Sequence, residues 1–421
     1  MSAVSCDWHR MAYETDAAAE LRLGEFFSEI GVALNNKTRR ASFATYALGL
    51  LSSAERKSAE PIAAIVAGDP EACEPAHHRL LRFLRDSPWC DREVRRVAAR
   101  HAIDAMTREE PLRTWIIDDT GFLKQGKHSV GVQRQYTGSA GKITNCQIAV
   151  SLSVATRSAH VPIDFALYLP ESWTNDVARR REAKIPDDFI FKTKHDLAIE
   201  MMERAIEDNV PGDILLADSA YGDSHEFREN VRFLGFDYAV GIHATTTMWR
   251  IDSLDRRRGE AASARHIADQ LGPKAFRRIT WREGTMPGER GKLHSRFALC
   301  RVKVAHDDGI NPVAHQPLWL ISEWPEGERA PTKFALTTLR RSMRKKEIVR
   351  LFKERYRTER VYEEMKGELG LDHFEGRSYP GWNHHVSVAL CCYAFVIGER
   401  MRHFPPETRR RGQTGALAVA A

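Results

Sequence analysis

Cysteine is scarce in this 421-residue chain: there are seven, at positions 6, 73, 90, 146, 300, 391 and 392, an odd number with no Cys-x-x-Cys pair. That argues against a disulfide framework or a structural zinc site and suits a reducing cytoplasm. Long hydrophobic runs are missing too. The longest, residues 386–397, falls well short of the roughly 20 residues that span a bilayer, so it predicts a buried helix and no membrane partner. The N-terminus meets charge almost at once and has no apolar stretch of the signal-peptide kind. Neither a glycine-rich phosphate loop nor a nucleophile elbow is present, which makes a metabolic α/β enzyme a distant option. Charge of one sign is also limited, with 63 Lys/Arg against 57 Asp/Glu for a net +6. What is there, 43% hydrophobic and 29% charged residues, is enough to fill the cores of roughly two or three domains.

The charge is unevenly spread. Residues 340–421 carry 17 Lys/Arg against 10 Asp/Glu, so the positive field lies at the C-terminal end and the remaining residues are almost neutral. Residues 1–110 show helical spacing, and Asp91 is positioned to cap a helix whose Arg92, Arg95, Arg96 and Arg100 form either a phosphate-binding face or a solvated one. From Arg113 the pattern turns to β. TWIID, GVQRQYTG and NCQIAVSLSVAT predict a three-stranded meander, then HDLAIEMMERAIEDN a helix and ILLAD a buried strand. Residues 241–328 alternate short β-like runs with charged loops and show no helical period, which predicts a β-rich insertion. Residues 342–369 read as one charged helix, the apolar helix follows within 329–403, and 404–421 read as a disordered tail.

Three segments carry acids: WIIDDTG (Asp118, Asp119), ILLADSAYG (Asp218) and FKERYRTERVYEEMK (Glu359). The first two place a carboxylate at the end of an apolar strand, where it escapes burial and where α/β folds build sites. Carboxylates converging there repel one another and imply a hard cation with oxygen ligands, Mg²⁺ or Mn²⁺; two such ions clamp the oxygens of a phosphodiester displacement. In the third segment the spacing Phe352-x2-Arg355-x3-Glu359-x6-Lys366 keeps an aromatic, a cation, an acid and a second cation on one helix face.

The series D-D-T, then L-A-D-x-x-Y-G, then aromatic-x2-R-x3-E-x6-K resembles the DDE transposases of bacterial insertion sequences, in the branch with a Tyr-Arg-Glu-Lys signature. DDTGFLKQGKHSVGVQRQYTG and ELGLDHFEGRSYPGWNHH add to the likeness, which covers about residues 75–400. The resemblance implies an α/β fold: an RNase H-like catalytic core (111–240 and 329–403) interrupted by the β-rich insertion and preceded by an all-helical DNA-binding domain. It implies Asp119, Asp218 and Glu359 as catalytic acids and ligands of two Mg²⁺ or Mn²⁺ ions, and Arg355 and Lys366 as contacts to the DNA near the scissile phosphate. Its partners are double-stranded DNA, as terminal inverted repeats and target, and a second copy of the chain in the synaptic complex. Phe352 stands where the signature has tyrosine, so a hydroxyl contact is lost. Alternation along the strand lets only one of Asp118 and Asp119 face a metal; the motif favours Asp119. Glu363 and Glu364 fail in register.

Arg340, Arg341, Arg344, Lys345 and Lys346 precede the glutamate helix and are candidate DNA contacts. Lys124, Lys127, His128, Arg134 and Tyr136 suit either a DNA-approaching hairpin or an exposed turn. His373, His384 and His385 read as structural, and Gly222 as relaxing the backbone after Asp218. Trp249, Trp281, Trp319 and Trp324 read as core, with a base-holding role the alternative. An RNase H-like nuclease without strand transfer, or a transposase-derived DNA-binding regulator, are the competing functions.

Overall fold

The computed structural model describes residues 17–67, 70–108, 110–282, 292–305 and 316–403. The tail 404–421 and Cys6 lie outside them.

Five helices come first: α1 (Ala17–Leu34), α2 (Lys37–Leu51), α3 (Ala59–Ala67), α4 (Pro70–Arg85) and α5 (Asp91–Thr107). Asn36 caps α2 by accepting from the amides of Thr38 and Arg39. Asp91 does not cap α5; Cys90 occupies that position without a side-chain bond, and Asp91, already in the helix, pairs with Arg95 at 2.6 Å one turn on.

The sheet begins with β1 (Thr114–Leu123), β2 (Gln133–Thr137), β3 (Lys142–Ala155) and β4 (His160–Leu167). The meander therefore has a fourth strand that sequence reading missed. Pro162 argues against a strand there, but β4 is at the rim and the register slips between Leu152 and Ser153, opposite Pro162. After short α6 (Glu171–Thr174) and α7 (Val177–Glu182) come α8 (Lys194–Glu207), β5 (Ile214–Ala217), the single turn α9 (Ser219–Gly222), α10 (His225–Phe233) and β6 (Asp237–Ile242). β3 pairs antiparallel with β1, β1 parallel with β5, and β5 parallel with β6. The path β4-β3-β1-β5-β6 is the order expected of an RNase H-like core, with β2 a hairpin added along the first part of β3. All four residues of β5 are buried, as a central parallel strand requires.

The sheet then continues through β7 (Thr247–Ile251), β8 (Arg257–Ser263), β9 (Arg277–Arg282), β10 (Leu293–Val304), β11 (Leu318–Trp324) and β12 (Lys333–Thr337). β12 joins them to β6, giving one twelve-stranded sheet among the described residues. This stretch also holds a helix that its sequence pattern did not reveal, α11 (Ala264–Leu271): two turns are too short for a clear period, though Ser263 caps it by accepting from the His266 amide.

The expected single helix over 342–369 is two: α12 (Lys345–Lys353) and α13 (Arg357–Leu369), with a 3₁₀ turn over Glu354–Tyr356 between them. Last comes α14 (Tyr379–His403), buried over most of its length. No helix of the described residues is long and apolar enough to cross a membrane. α14 runs through the N-terminal helices, and one apolar core holds Phe26, Tyr46, Leu80 and Val94 together with Val386, Leu390 and Phe395. The two histidines of α14 fasten this junction. His384 stacks on Trp89 at 3.8 Å and sits 2.7 Å from the Leu84 carbonyl. His385 Nε2–H faces the carbonyls of Gly370 and Leu371, and Nδ1 accepts from the Tyr46 hydroxyl at 2.9 Å. That network assigns a neutral ring, and burial pushes its pKa down to about 4.

Candidate active site on β1 and after β5

β1 is buried on both faces and runs on to Leu123, so Asp118 and Asp119 stand in mid-strand and not at its end as the apolar run suggested; the two leave it in opposite directions. Asp118 shares a face with Ser151, its cross-strand partner, and with Thr120. α13 and the turn before it cover that face. Arg355 donates to Asp118 at 2.8 Å, the Tyr362 hydroxyl meets Ser151 Oγ at 2.6 Å, and Lys366 Nζ donates to Thr120 Oγ1 and the Gly121 carbonyl, each at 2.8 Å. Asp119 turns the other way, where Lys194 of α8 pairs with it at 2.6 Å. The Asp118 side chain is 12% exposed and that of Asp119 25%, so Asp119 is the more accessible from solvent.

Asp218 follows β5 directly and caps α9 by accepting from the Ala220 amide at 2.9 Å. Gly222 holds this turn against β6, but not through an unusual backbone. A Cβ there would lie 2.1 Å from the Gly241 carbonyl oxygen, so the glycine is required by close approach. Tyr221 is fully buried, and the Asp119, Asp118 and Asp218 carboxylates all act on its hydroxyl, which burial pushes well above its ordinary pKa. The three aspartates thus share one neighbourhood. Burial first, then Asp218 and Asp119, holds the Asp118 carboxyl up to about 7 against the opposing pull of Arg355.

Glu359 is exposed in the first turn of α13, between Arg355 and Lys366 in sequence, and no contact joins it to the aspartates. Among the described residues no three His, Cys, Asp or Glu side chains are already drawn together as ligands of one ion. In donor chemistry the site fits a hard divalent cation: its acids offer only carboxylate oxygens, and their mutual repulsion is visible at Asp118.

The sequence analysis missed Lys194. The signal for its placement was the capping box formed by Thr193 and Asp196, which fixes a helix start there, but nothing local shows that this start meets β1. Arg340, Arg341, Arg344, Lys345 and Lys346 are all exposed and gather at the start of α12; Lys345 also lies 5.6 Å from the centre of the Trp319 ring. Lys124 is not a free cation of the hairpin: it donates to the Phe374 carbonyl at 2.7 Å. The four insertion tryptophans each carry a cation over the ring, Arg257 on Trp249, Lys353 on Trp281, Arg301 on Trp319 and Arg296 on Trp324. Arg92, Arg95, Arg96 and Arg100 line a cleft of about 350 Å³ between α5 and α8, but Arg92 pairs with Glu207, Arg95 with Asp91 and Asp164, and Arg96 with Glu93.

A family model described as DDE superfamily endonuclease matches residues 26–288, and one described as transposase DDE domain matches residues 192–395. Asp119 falls in the first range, Asp218 in both and Glu359 in the second. The probable transposase for insertion sequence element IS701 of Microchaete diplosiphon is 30% identical over 198 residues, 47% of each protein, so the match spans about half the length of that relative.

Proposed function

The chain belongs to the DDE superfamily endonucleases, among the insertion-sequence DDE transposases, and we propose that it cleaves and joins the ends of an insertion sequence. The observation that carries this reading is the convergence on the middle of β1: Arg355 and Lys366, the two cations of the signature, both reach the strand that bears Asp118 and Asp119, beside Asp218.

Asp119, Asp218 and Glu359 would hold the divalent ions. Bound Mg²⁺ or Mn²⁺ supplies a Lewis acid for the phosphodiester and a lowered pKa for attacking water. Asp119 is preferred to Asp118 because it is the more exposed of the two and because Asp118 is engaged in orienting Arg355. Lys366 and Arg355 orient the scissile strand through its phosphates, Arg355 as a planar fork and Lys366 as a point charge. Hydrolysis leaves a 3′-hydroxyl on the element, and that hydroxyl displaces a target-strand oxygen in the joining step. Glu359 reaches the aspartates in this scheme only if α13 or its first turn shifts on binding DNA. The exposed cluster Arg340, Arg341, Arg344, Lys345 and Lys346 extends the phosphate-binding surface; five cations at a helix start oppose the helix dipole and do not serve α12 itself. Two copies of the chain on two DNA ends complete the complex, in the cytoplasm.

Asp119→Asn, Asp218→Asn and Glu359→Gln should each lower Mg²⁺-dependent cleavage of an end-containing duplex by about a hundredfold or more. Retained cleavage in any of them removes that residue from the ligand set. A strand-transfer assay with pre-cleaved ends separates a transposase from a nuclease that only cuts.

A further inference from the structure

Lys194 pairs with an aspartate of the site and, unlike Arg355 and Lys366, is not part of the signature. It is the first residue of α8, a 14-residue helix whose N-cap Thr193 and Asp196 close a full capping box. A cation in that turn faces the positive end of the helix dipole, so the helix gains nothing from it. The side chain instead crosses to β1 and places its ammonium 2.6 Å from Asp119 Oδ2, with 30% of its side chain and 25% of that of Asp119 open to solvent. Asp118, by contrast, is satisfied by Arg355 on the opposite face of the strand.

We propose that Lys194 is an internal counter-cation that competes with a divalent metal ion for Asp119, holding the carboxylate in place before the ion binds and yielding it afterwards. This rests on the reading of Asp119 as a metal ligand. The two cations want the same oxygens. Lysine suits the exchange because its ammonium is a point charge on a flexible four-carbon stem, whereas a bidentate arginine at this point would be harder to displace. The pair is partly open to solvent, so its hold is modest and an ion can overcome it. Lys194 is thus a positioning residue whose effect passes through Asp119.

The test is Mn²⁺ binding to the full-length, DNA-free protein, followed by the electron paramagnetic resonance signal of free Mn²⁺. Lys194→Met and Lys194→Gln should tighten Mn²⁺ binding by about fivefold, the affinity equivalent of one partly exposed ion pair, while Lys194→Arg stays at or weaker than wild type. A merely structural ion pair would leave the affinity unchanged or weaken it. Asp119→Asn separates the two layers of the argument. If it weakens Mn²⁺ binding tenfold or more while the Lys194 variants do not tighten it, the competition is wrong and the metal-ligand reading stands. If Asp119→Asn binds Mn²⁺ like wild type, Asp119 is not a ligand and both fall.

Discussion

Lys57 offers the sharpest test of how the glutamate helix is held. Its ammonium is buried, with the residue 4% exposed, and donates to the carbonyls of Leu50 at 2.7 Å, Ser52 at 2.6 Å and Glu368. The first two belong to the end of α2 and the third to the end of α13, so one side chain closes two helix C-termini with a cation, the favourable sign for both dipoles. Burial lowers its pKa from the ordinary lysine value, with the Glu368 carboxylate opposing the fall. Lys57→Met leaves three carbonyls without their donor. Each unsatisfied buried carbonyl costs about 1–3 kcal/mol, and relief from the buried charge returns part of the sum, leaving about 3 kcal/mol. If the loss is concentrated at the end of α13, amide exchange over residues 366–371 should speed up by about a hundredfold, since 1.4 kcal/mol is a factor of about ten. Hydrogen–deuterium exchange with mass spectrometry reads this directly, with β1 and β5 as internal references. Exchange within about threefold of wild type at 366–371 would refute the reasoning and show that Lys57 holds nothing that packing does not hold already.

Other expectations follow from the same geometry. The His385 pKa lies at about 4 in the folded chain against 6.5 unfolded, so the unfolded state takes up the proton first and stability falls as pH drops through that window; between about pH 7 and pH 5 the loss is about 2 kcal/mol. Urea unfolding at the two pH values checks it: His385→Gln should lose about 2 kcal/mol less than wild type between them, and the loss that remains belongs to other buried histidines such as His160, whose pKa burial pushes down to about 3. Gly222→Ala forces a Cβ into the Gly241 carbonyl; with an overpacking cost of about 1–3 kcal/mol, the turn bearing Asp218 should shift and DNA cleavage should drop more than the melting temperature suggests. Replacing Lys345 and Lys346 together by glutamine should lower the slope of log K against log salt for DNA binding by about 2, and an unchanged slope would take them off the DNA.

The parts of the site that could be read from the chain are those written locally. An apolar run that ends in an acid marks Asp218, which does follow its strand, but it misplaces Asp118 and Asp119: β1 continues to Leu123, and a carboxylate is tolerated in mid-strand there because Arg355 and Lys194 meet it on either face. Arg355 and Lys366 were placed by spacing, and both do meet β1, although by a different route: the 3₁₀ turn at Glu354–Tyr356 breaks the single helix face that the spacing assumed. Residues whose role depends on non-local approach left no trace. Lys194 and Lys57 look like any charged residue near a helix end until the fold brings a carboxylate to the first and the Glu368 carbonyl to the second. β4 was hidden by Pro162, which only its rim position and the slipped register tolerate. Gly222 was recognised as necessary, but for the wrong reason: the demand comes from a neighbouring strand 19 residues on.

The docking of α14 among the first helices has a consequence for synthesis. Tyr46 waits for His385, and Leu84 and Trp89 for His384, so partners on one side of the junction are made roughly 300 residues before those on the other. At about 5–20 residues per second that interval lasts about 15–60 seconds, during which the apolar flanks of the early helices have no native cover. A nascent chain of this protein should therefore keep these flanks open to solvent until α14 emerges. Any truncation before α14 should yield insoluble helices in place of a soluble fragment.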